Sequence, residues 1–280
     1  MNDRPVEAIV LGTAQDGGIP QIGCDCPRCR AARGDEAKRR WVASLAVIDR
    51  SVRSWWLVDA TPDIERQVGW MTTSGPSVSL AGILLTHAHI GHYLGLALLG
   101  REAWNVRDLP VVCTHRVAAF LEEHQPWRKL VEQSNIRLVR VTPGTASHLS
   151  ARLTAIPVSV PHRDELSDTV AWSFAGPTRR LVYCPDIDCW SNAILRVVDD
   201  ADVAVLDGTF DSADELPGRD RSSIPHPCVE DSVRMFADAK TQIVFTHLNH
   251  SNPLVDDAAR IRRLQAQGFA VVRRGDRWPL

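Results

Sequence analysis

The sequence has no excess of charge of either sign, because 34 acidic residues balance 32 basic ones. It therefore offers no electrostatic case for binding nucleic acid or an anionic membrane surface. It also lacks a long apolar run near its start, where the stretch Ala8–Leu11 is too short for a signal-peptide core or a membrane span. From these absences we expect a cytoplasmic protein with neither nucleic acid nor a membrane as a partner.

Low-complexity segments, heptads, internal repeats and Pro/Gly/Ser-rich linkers are also missing, so nothing in the sequence divides the chain. Apolar, β-branched runs and segments of helical periodicity predict interleaved strands and helices. The predicted strands are Ala8–Leu11, Ser44–Ile48, Trp55–Val58, Gly82–Thr86, Val111–Cys113, Leu138–Val141, Leu153–Val160, Thr169–Phe174, Leu181–Tyr183, Val203–Leu206, Ile243–Thr246 and Ala270–Arg273. The predicted helices are Tyr93–Arg101, Val117–Glu123, Leu195–Val198, Val229–Ala237 and Val255–Gln267. We predict one α+β domain over residues 1–280, with sheet packed on sheet and helices outside.

The most informative feature that is present is a cluster of three histidines, His87, His89 and His92, directly after a predicted buried strand. A loop leaving such a strand can turn neighbouring side chains toward one point, where neutral imidazole nitrogens bind zinc or iron. Three unrelated surface histidines are the alternative. Such clustering at a strand end is improbable with ten histidines in 280 residues, so the cluster indicates a metal site.

Three more candidate ligands, His162, Asp186 and His247, also follow predicted strands. Each of them alone is more typical of a solvated loop. Their shared position changes this interpretation, because separated strand ends of this kind converge at one edge of a sheet.

Three of the seven cysteines, Cys24, Cys26 and Cys29, stand close together as C-x-C-x-x-C. In a cytoplasmic protein these thiols stay reduced and are available for metal. Three thiolates and one imidazole make a closed tetrahedral site, which is typical of structural zinc. Free thiols, or a disulfide between two of them, are the alternatives. We predict a Cys-rich structural metal loop over roughly residues 20–34.

The run from His87 to His92 resembles the H-x-H-x-D-H motif of the metallo-β-lactamase superfamily, with Gly91 in place of the aspartate. His162, Asp186 and His247 match the family's later ligands by order and strand context. The resemblance covers nearly the whole chain. It implies a four-layer αβ/βα sandwich with the metals at one edge of the sheets.

The N-terminal segment carries a narrower resemblance. Residues 11–21 (LGTAQDGGIPQ) and 23–29 (GCDCPRC) are similar to the opening of the pyrroloquinoline quinone biosynthesis protein B family, and to that of the phosphodiesterase family of the carbon–phosphorus lyase pathway. The phosphodiesterase resemblance implies that the cysteines share a structural zinc ion with a histidine three residues beyond the last active-site histidine. Here that residue is His250, since His247 is the last.

Gly91 is the departure from the motif that bears most on mechanism. The resemblance implies two ligand sets that share Asp186 as a bridge. The sets are His87, His89 and His162 for the first ion, and His92 and His247 for the second. Glycine supplies no ligand, so we expect the second ion to bind more weakly, and Gly91→Asp to tighten it. We expect one or two active-site ions, Zn²⁺ first, with Fe²⁺ or Mn²⁺ as alternatives.

Asp207 and His226 are candidates for proton transfer. Their segments are similar in order to those of the superfamily's tRNA 3′-processing endonucleases, in which an acidic residue and a histidine form an acid/base pair. A carboxylate bound to an imidazole fixes its tautomer and raises its basicity. A helix-leading histidine packed on prolines is an equally weighted alternative for His226.

These features together predict a metal-dependent hydrolase that uses a metal-activated water on an ester or phosphodiester-like substrate. An iron-dependent oxidase or hydroxylase in cofactor biosynthesis is one alternative, and a non-catalytic metal-binding module is another. We expect a small-molecule or peptide substrate. The sequence does not fix the oligomeric state and leaves a homodimer open.

Overall fold

Apolar runs rich in β-branched residues form strands in the computed structural model of the chain, which describes residues 6–216 and 224–280. The strands β1 to β14 are Val6–Gly12, Ser44–Asp49, Ser54–Val58, Ser79–Leu84, Leu109–Thr114, Ile136–Val141, Ser147–His148, Thr154–Val160, Thr169–Ala175, Arg180–Cys184, Val203–Asp207, Gln242–Thr246, Ala270–Val271 and Arg277–Pro279. The helices α1 to α8 are Pro27–Gly34, Ile64–Thr73, Ile90–Tyr93, His115–Glu123, Trp127–Glu132, Asn192–Asp199, Val229–Met235 and Ala258–Ala266.

Within these ranges the strands form two seven-stranded sheets with the same internal plan. The first sheet has the order β14-β1-β2-β3-β4-β5-β6, and the second has the order β7-β8-β9-β10-β11-β12-β13. In each sheet three antiparallel pairings are followed by three parallel ones. Parallel neighbours point the same way, so β3, β4 and β5 end at one edge, as do β10, β11 and β12.

The alternation of side chains along each strand divides the core into layers. In β2, Leu45 and Val47 face the second sheet, whereas Ala46 and Ile48 face helices on the outside. Helices α2, α4 and α5 cover the first sheet, and α6, α7 and α8 cover the second. The predicted α+β architecture, a four-layer αβ/βα sandwich, is therefore confirmed.

The structure contains all twelve predicted strands, but it differs from the helix predictions in several places. Helices α1, α2 and α5 lie in segments for which no helix was predicted. The predicted helix Tyr93–Arg101 is instead the short α3 followed by a 3₁₀ segment, Leu94–Leu99. The N–H of Gly95 donates a hydrogen bond to the carbonyl of Ala60, which removes it from an α-helical ladder.

Across the two described stretches, no helix is both long and apolar enough to cross a membrane.

Candidate metal centre

The loop that leaves β4 brings three histidine side chains to the edge where the parallel strands end. His87 and His92 are fully buried, and the rings of His87 and His89 are in edge-to-face contact with their centroids 4.5 Å apart. The segment from Ile90 turns at once into α3, which carries His92 back toward His87. A strand end followed by a single helical turn therefore holds the whole cluster.

The first group of donors consists of His87, His89, His162 and Asp186. His162 follows β8, and its Nε2 lies 3.1 Å from His89 Nδ1 and 3.3 Å from Asp186 Oδ1. Asp186 follows β10, and its Oδ2 lies 3.4 Å from His87 Nε2. All four residues are buried.

The second group lies on the other side of Asp186. His92 Nε2 lies 3.5 Å from Asp186 Oδ2, and His247 Nε2 lies 3.8 Å from the same oxygen. The structure adds a fourth member, Asp16, from the loop after β1. Its Oδ1 lies 3.3 Å from His92 Nε2 and 3.4 Å from His247 Nε2.

These donor sets fit a metal ion. Among the described residues, the buried atoms His87 Nε2, His92 Nε2, His247 Nε2 and Asp16 Oδ1 have no hydrogen-bond partner, although they lie close to one another. Such an arrangement is costly unless something else satisfies these atoms. Ligands about 2.1 Å from a tetrahedral zinc ion are about 3.4 Å apart, which matches the spacings within the second group.

Hydrogen bonds on the far side of the imidazoles fix their tautomers. His92 Nδ1 donates to Asp59 Oδ2 at 2.8 Å, and His162 Nδ1 donates to Asp188 Oδ1 at 2.7 Å. His247 Nδ1 lies 2.9 Å from Thr209 Oγ1. Each contact leaves Nε2 as the nitrogen that faces the donor group, which is the usual arrangement behind metal-binding histidines.

Electrostatics prepare the same atoms for metal. Burial, with the nearby charge of His92, lowers the pKa of His87 well below its ordinary value, and burial with the charge of His162 lowers the pKa of His89 to about 4. Both rings are therefore neutral near pH 7, the form that binds metal. Burial opposes the charge on Asp186, but His247 and other surrounding histidines hold the pKa of its carboxyl well below the usual range.

His92 and His247 are also distinguished by their surroundings. Burial acts against protonation of His92, but the carboxylate of Asp59 raises the pKa of this imidazole well above its ordinary value. His247 has a positive φ of 62°, and Asp59 has one of 67°. Backbone conformations of this kind are uncommon for residues other than glycine and tend to occur at functional sites.

Asp207 and His226 lie beside this centre and contact each other. His226 Nδ1 donates to Asp207 Oδ2 at 2.8 Å and lies 3.4 Å from Asp186 Oδ1. The backbone N–H groups of Ile187 and Thr209 also donate to Asp207. Burial opposes protonation of His226, but the Asp207 carboxylate raises the pKa of its ring to about 9. The structure therefore brings the two proton-transfer candidates into contact with each other and places His226 beside Asp186 of the donor groups.

A separate group joins Cys24, Cys26, Cys29 and His250. The three sulfur atoms lie 3.6, 3.9 and 3.8 Å from His250 Nδ1, in that order. Cys26 caps the N-terminus of α1, where it accepts from the N–H of Cys29. Burial opposes ionisation of Cys26, but this N–H and the side chain of His250 lower the pKa of its thiol to about 6.

Comparison with known proteins places this geometry in a family. The sequence pattern of the beta-lactamase superfamily domain matches residues 54–248, which is more than half of the chain. The chain belongs to the beta-lactamase superfamily.

Relatives within the superfamily bear out the narrower resemblance. The chain is 29% identical to coenzyme PQQ synthesis protein B of Methylobacterium sp. (strain 4-46), covering 96% of this chain and 98% of that protein. It is also 29% identical to the protein of the same name from Klebsiella pneumoniae (strain 342), covering 94% of each.

Solved structures of superfamily members share the fold. The zinc-bound PqqB from Methylobacterium extorquens superposes with a TM-score of 0.84 at 21% identity, covering 98% of this chain and all of that one. A diphosphatase from the PhnP family has a TM-score of 0.74 at 23% identity, covering 98% and 97%. The chain thus has a metallo-β-lactamase fold with hydrolases among its structural neighbours.

The superfamily motif also shows what the sequence interpretation missed. Because Gly91 stands where the motif has an aspartate, the sequence predicted three protein donors in the second group. The structure places one more carboxylate, that of Asp16, beside His92 and His247, so four side chains of the described residues come together there. The Gly17-Gly18 turn beside Asp16 was the one available signal. The partners Asp59 and Asp188 gave none, because only the fold brings them to the histidines.

Proposed function

We propose that this chain is a metal-dependent hydrolase with two neighbouring ions, acting on an ester or phosphodiester-like substrate. The observation that carries the proposal is the position of Asp186. Its two oxygens lie within 3.3 to 3.8 Å of His162, His87, His92 and His247, so one buried carboxylate faces both donor groups. Paired divalent ions that share a ligand are typical of hydrolytic centres.

The donor sets identify which residues would hold the ions. His87, His89 and His162 would hold the first, His92 and His247 would hold the second, and Asp186 would be available to both. When bound, these ions supply a water of lowered pKa and polarise the oxygen of the electrophile. Zn²⁺ is the expected ion because imidazole and carboxylate are among its usual protein ligands.

The residues of the chain then have separate tasks. Three side chains orient the imidazoles by contacting the Nδ1 atoms of the histidines. Asp59 contacts His92, Asp188 contacts His162, and Thr209 contacts His247. We assign His226 the transfer of a proton to the leaving group, with Asp207 holding its ring. A histidine fixed by a carboxylate within hydrogen-bond reach is a common general acid.

Cys24, Cys26, Cys29 and His250 are proposed to hold a structural zinc ion. Their donor atoms all lie within 4.8 Å of one another, and three thiolates with one imidazole leave no open position. The ion would fasten the N-terminal loop to the segment after β12.

Metal analysis combined with turnover tests the proposal. We expect zinc-loaded protein to hydrolyse bis(p-nitrophenyl) phosphate, and Asp186→Asn to lose active-site metal and turnover together. Asp164→Asn is a matched control, because this nearby carboxylate is 76% exposed. Turnover that persists in Asp186→Asn, or a wild-type protein that binds no active-site metal, would contradict the proposal.

The iron-dependent oxidase or hydroxylase remains a second candidate because the relatives at 29% identity are named for coenzyme PQQ synthesis. Iron-dependent oxygenases typically hold iron with two histidines and one carboxylate, a set that His92, His247 and Asp186 could form. Asp16 adds a second carboxylate to this set, which weakens the case for an oxygenase. Anaerobic loading separates the candidates. One ferrous ion per chain with oxygen consumption favours the oxidase, and bound zinc without it favours the hydrolase. A non-catalytic module would bind metal and turn over neither substrate nor oxygen.

A further inference from the structure

The loop after β1 places Asp16 beside the second donor group, although Asp16 lies outside the H-x-H-x-D-H motif and outside the matched residues 54–248. Its side chain is 24% exposed, yet Oδ1 itself is buried. Oδ1 faces the Nε2 atoms of His92 and His247, which are both fully buried and have no hydrogen-bond partner in the described part of the chain. Three buried polar atoms therefore converge on one point.

Asp16 occupies the space that a side chain at position 91 would need. A Cβ atom built on Gly91 would lie 2.2 Å from Asp16 Oδ1, 2.6 Å from its Cγ and 2.7 Å from its Cα. The last contact is with backbone, so a rotation of the Asp16 side chain cannot relieve it. Any side chain at position 91 and the observed position of Asp16 therefore exclude each other.

The backbone around Asp16 holds it in this place. The N–H of Gln15 donates to the carbonyl of Leu248 at 3.0 Å, and the N–H of Leu248 donates to Thr13 at 2.9 Å. These bonds tie the loop to the residue directly after His247. The N–H of Gly18 then closes the turn on the carbonyl of Gln15. These hydrogen bonds therefore fix the position of the Asp16 loop relative to His247, which is one of the second group's histidines.

We propose that Asp16 is a ligand of the second metal ion and replaces the carboxylate that the superfamily motif carries at position 91. Glycine at position 91 is required for this replacement, because a larger residue there would occupy the space that Asp16 fills. This inference rests on the proposed metal centre. It reverses the sequence expectation that Gly91→Asp alone tightens the second site, since the new side chain displaces Asp16.

An exchange of ligands predicts non-additive behaviour, which a double-mutant cycle detects. Asp16→Asn, Asp16→Gly, Gly91→Asp and the double variant Asp16→Gly/Gly91→Asp are compared by Zn²⁺ stoichiometry and by competition with a chelator. Replacement of a residue behind a metal ligand typically costs 10- to 100-fold in affinity, so we expect loss of Asp16 to weaken the second ion about 100-fold or more. We expect Gly91→Asp alone to weaken it too, because its Cβ would meet Asp16 at Oδ1, Cγ and Cα. The double variant removes the first two contacts but keeps the one with the backbone Cα, so we expect it to bind the second ion more tightly than Asp16→Gly or Gly91→Asp alone and less tightly than wild type.

The controls separate this inference from the proposed function. Asp25→Asn makes the same charge change in the same loop at a side chain that is 77% exposed, and it should leave the affinity for the second active-site ion unchanged. If wild type binds two active-site ions and Asp16→Asn binds the second as tightly, the inference is wrong and the metal centre stands. If wild type binds no active-site ion, both fail. Should the double variant not fold, the titration of Asp16→Asn decides alone.

Discussion

Asp59 and His92 form a fully buried pair, in which His92 Nδ1 donates to Asp59 Oδ2 at 2.8 Å. The same carboxylate accepts from the N–H and the hydroxyl of Thr86, whose oxygen in turn lies 2.9 Å from His87 Nδ1. One carboxylate therefore orients a histidine of each donor group, directly in one case and through a hydroxyl in the other.

We expect Asp59→Asn to lower the affinity for both active-site ions by about 10- to 100-fold, because the orientation and basicity of the two imidazoles depend on this carboxylate. Chelator competition with Zn²⁺ measures the effect. Asp49→Asn is the matched control, since Asp49 is equally buried but bonds to Ser51 and Ser150. Overlapping titration curves for Asp59→Asn and wild type would show that the pair has no such role.

His226→Ala should lower turnover of bis(p-nitrophenyl) phosphate by about 100-fold or more, because general acid catalysis typically contributes 10²- to 10⁴-fold. Metal content should not change, since His226 is not assigned to hold an ion. Steady-state kinetics and metal analysis on the same preparation make the test. His148→Ala, at an exposed histidine, should behave as wild type. Equal turnover in the two variants would remove His226 from the mechanism.

Cys26→Ser should lose one zinc ion per chain and lower the melting temperature. Assembly of a structural zinc site contributes to folding, and a loss of about 2 kcal/mol corresponds to a decrease of roughly 4–8 °C for a chain of this size. Cys189→Ser serves as control because Cys189 is exposed and lies outside the group. Unchanged zinc content in Cys26→Ser would exclude the structural zinc ion.

Trp172→Phe should destabilise the fold without changing the metal ligands. Trp172 is fully buried between the sheets, and its Nε1 donates to the carbonyl of Leu85 at 3.1 Å. The substitution leaves that buried carbonyl without its donor, which costs about 1–3 kcal/mol. Denaturant unfolding measures the change. Trp104→Phe, at a residue that is 44% exposed, should shift the midpoint much less.

The sequence predicts strands well here because their signal is local. The run Val203–Leu206, for example, is entirely apolar and contains two valines, and every strand predicted in this way is present. Helix α2 has the sequence IERQVGWMTT, in which glycine and several β-branched residues obscure the helical period, and packing of Ile64 and Met71 on the first sheet stabilises it instead. The extent of the domain, residues 1–280, stays a prediction.

In the candidate site, too, local sequence patterns identify some residues and miss others. The histidines at strand ends could be located because each follows an apolar run. Asp16 could not be placed, since its approach to His92 joins residues far apart in the chain and depends on the pairing of its loop with Leu248. Asp59 likewise shows its role only through a buried contact with His92. Local patterns therefore find the histidines of the donor groups, whereas the carboxylates around them can be found only from the fold.

The short segment from His247 to His250 has a consequence for biosynthesis. His247 faces the second donor group and His250 faces the cysteines, while Asp16 and Cys24 to Cys29 approach from near the start of the chain. A ribosome must therefore translate residue 247 before the second donor group has all its donors, and residue 250 before the cysteine group has all of its own. Until then the thiols synthesised first have no imidazole partner, whereas His87, His89, His162 and Asp186 are already complete as a set. We therefore expect the first group to bind metal earliest. Measuring the metal content of chains arrested on the ribosome just before and just after His250 emerges would test this order.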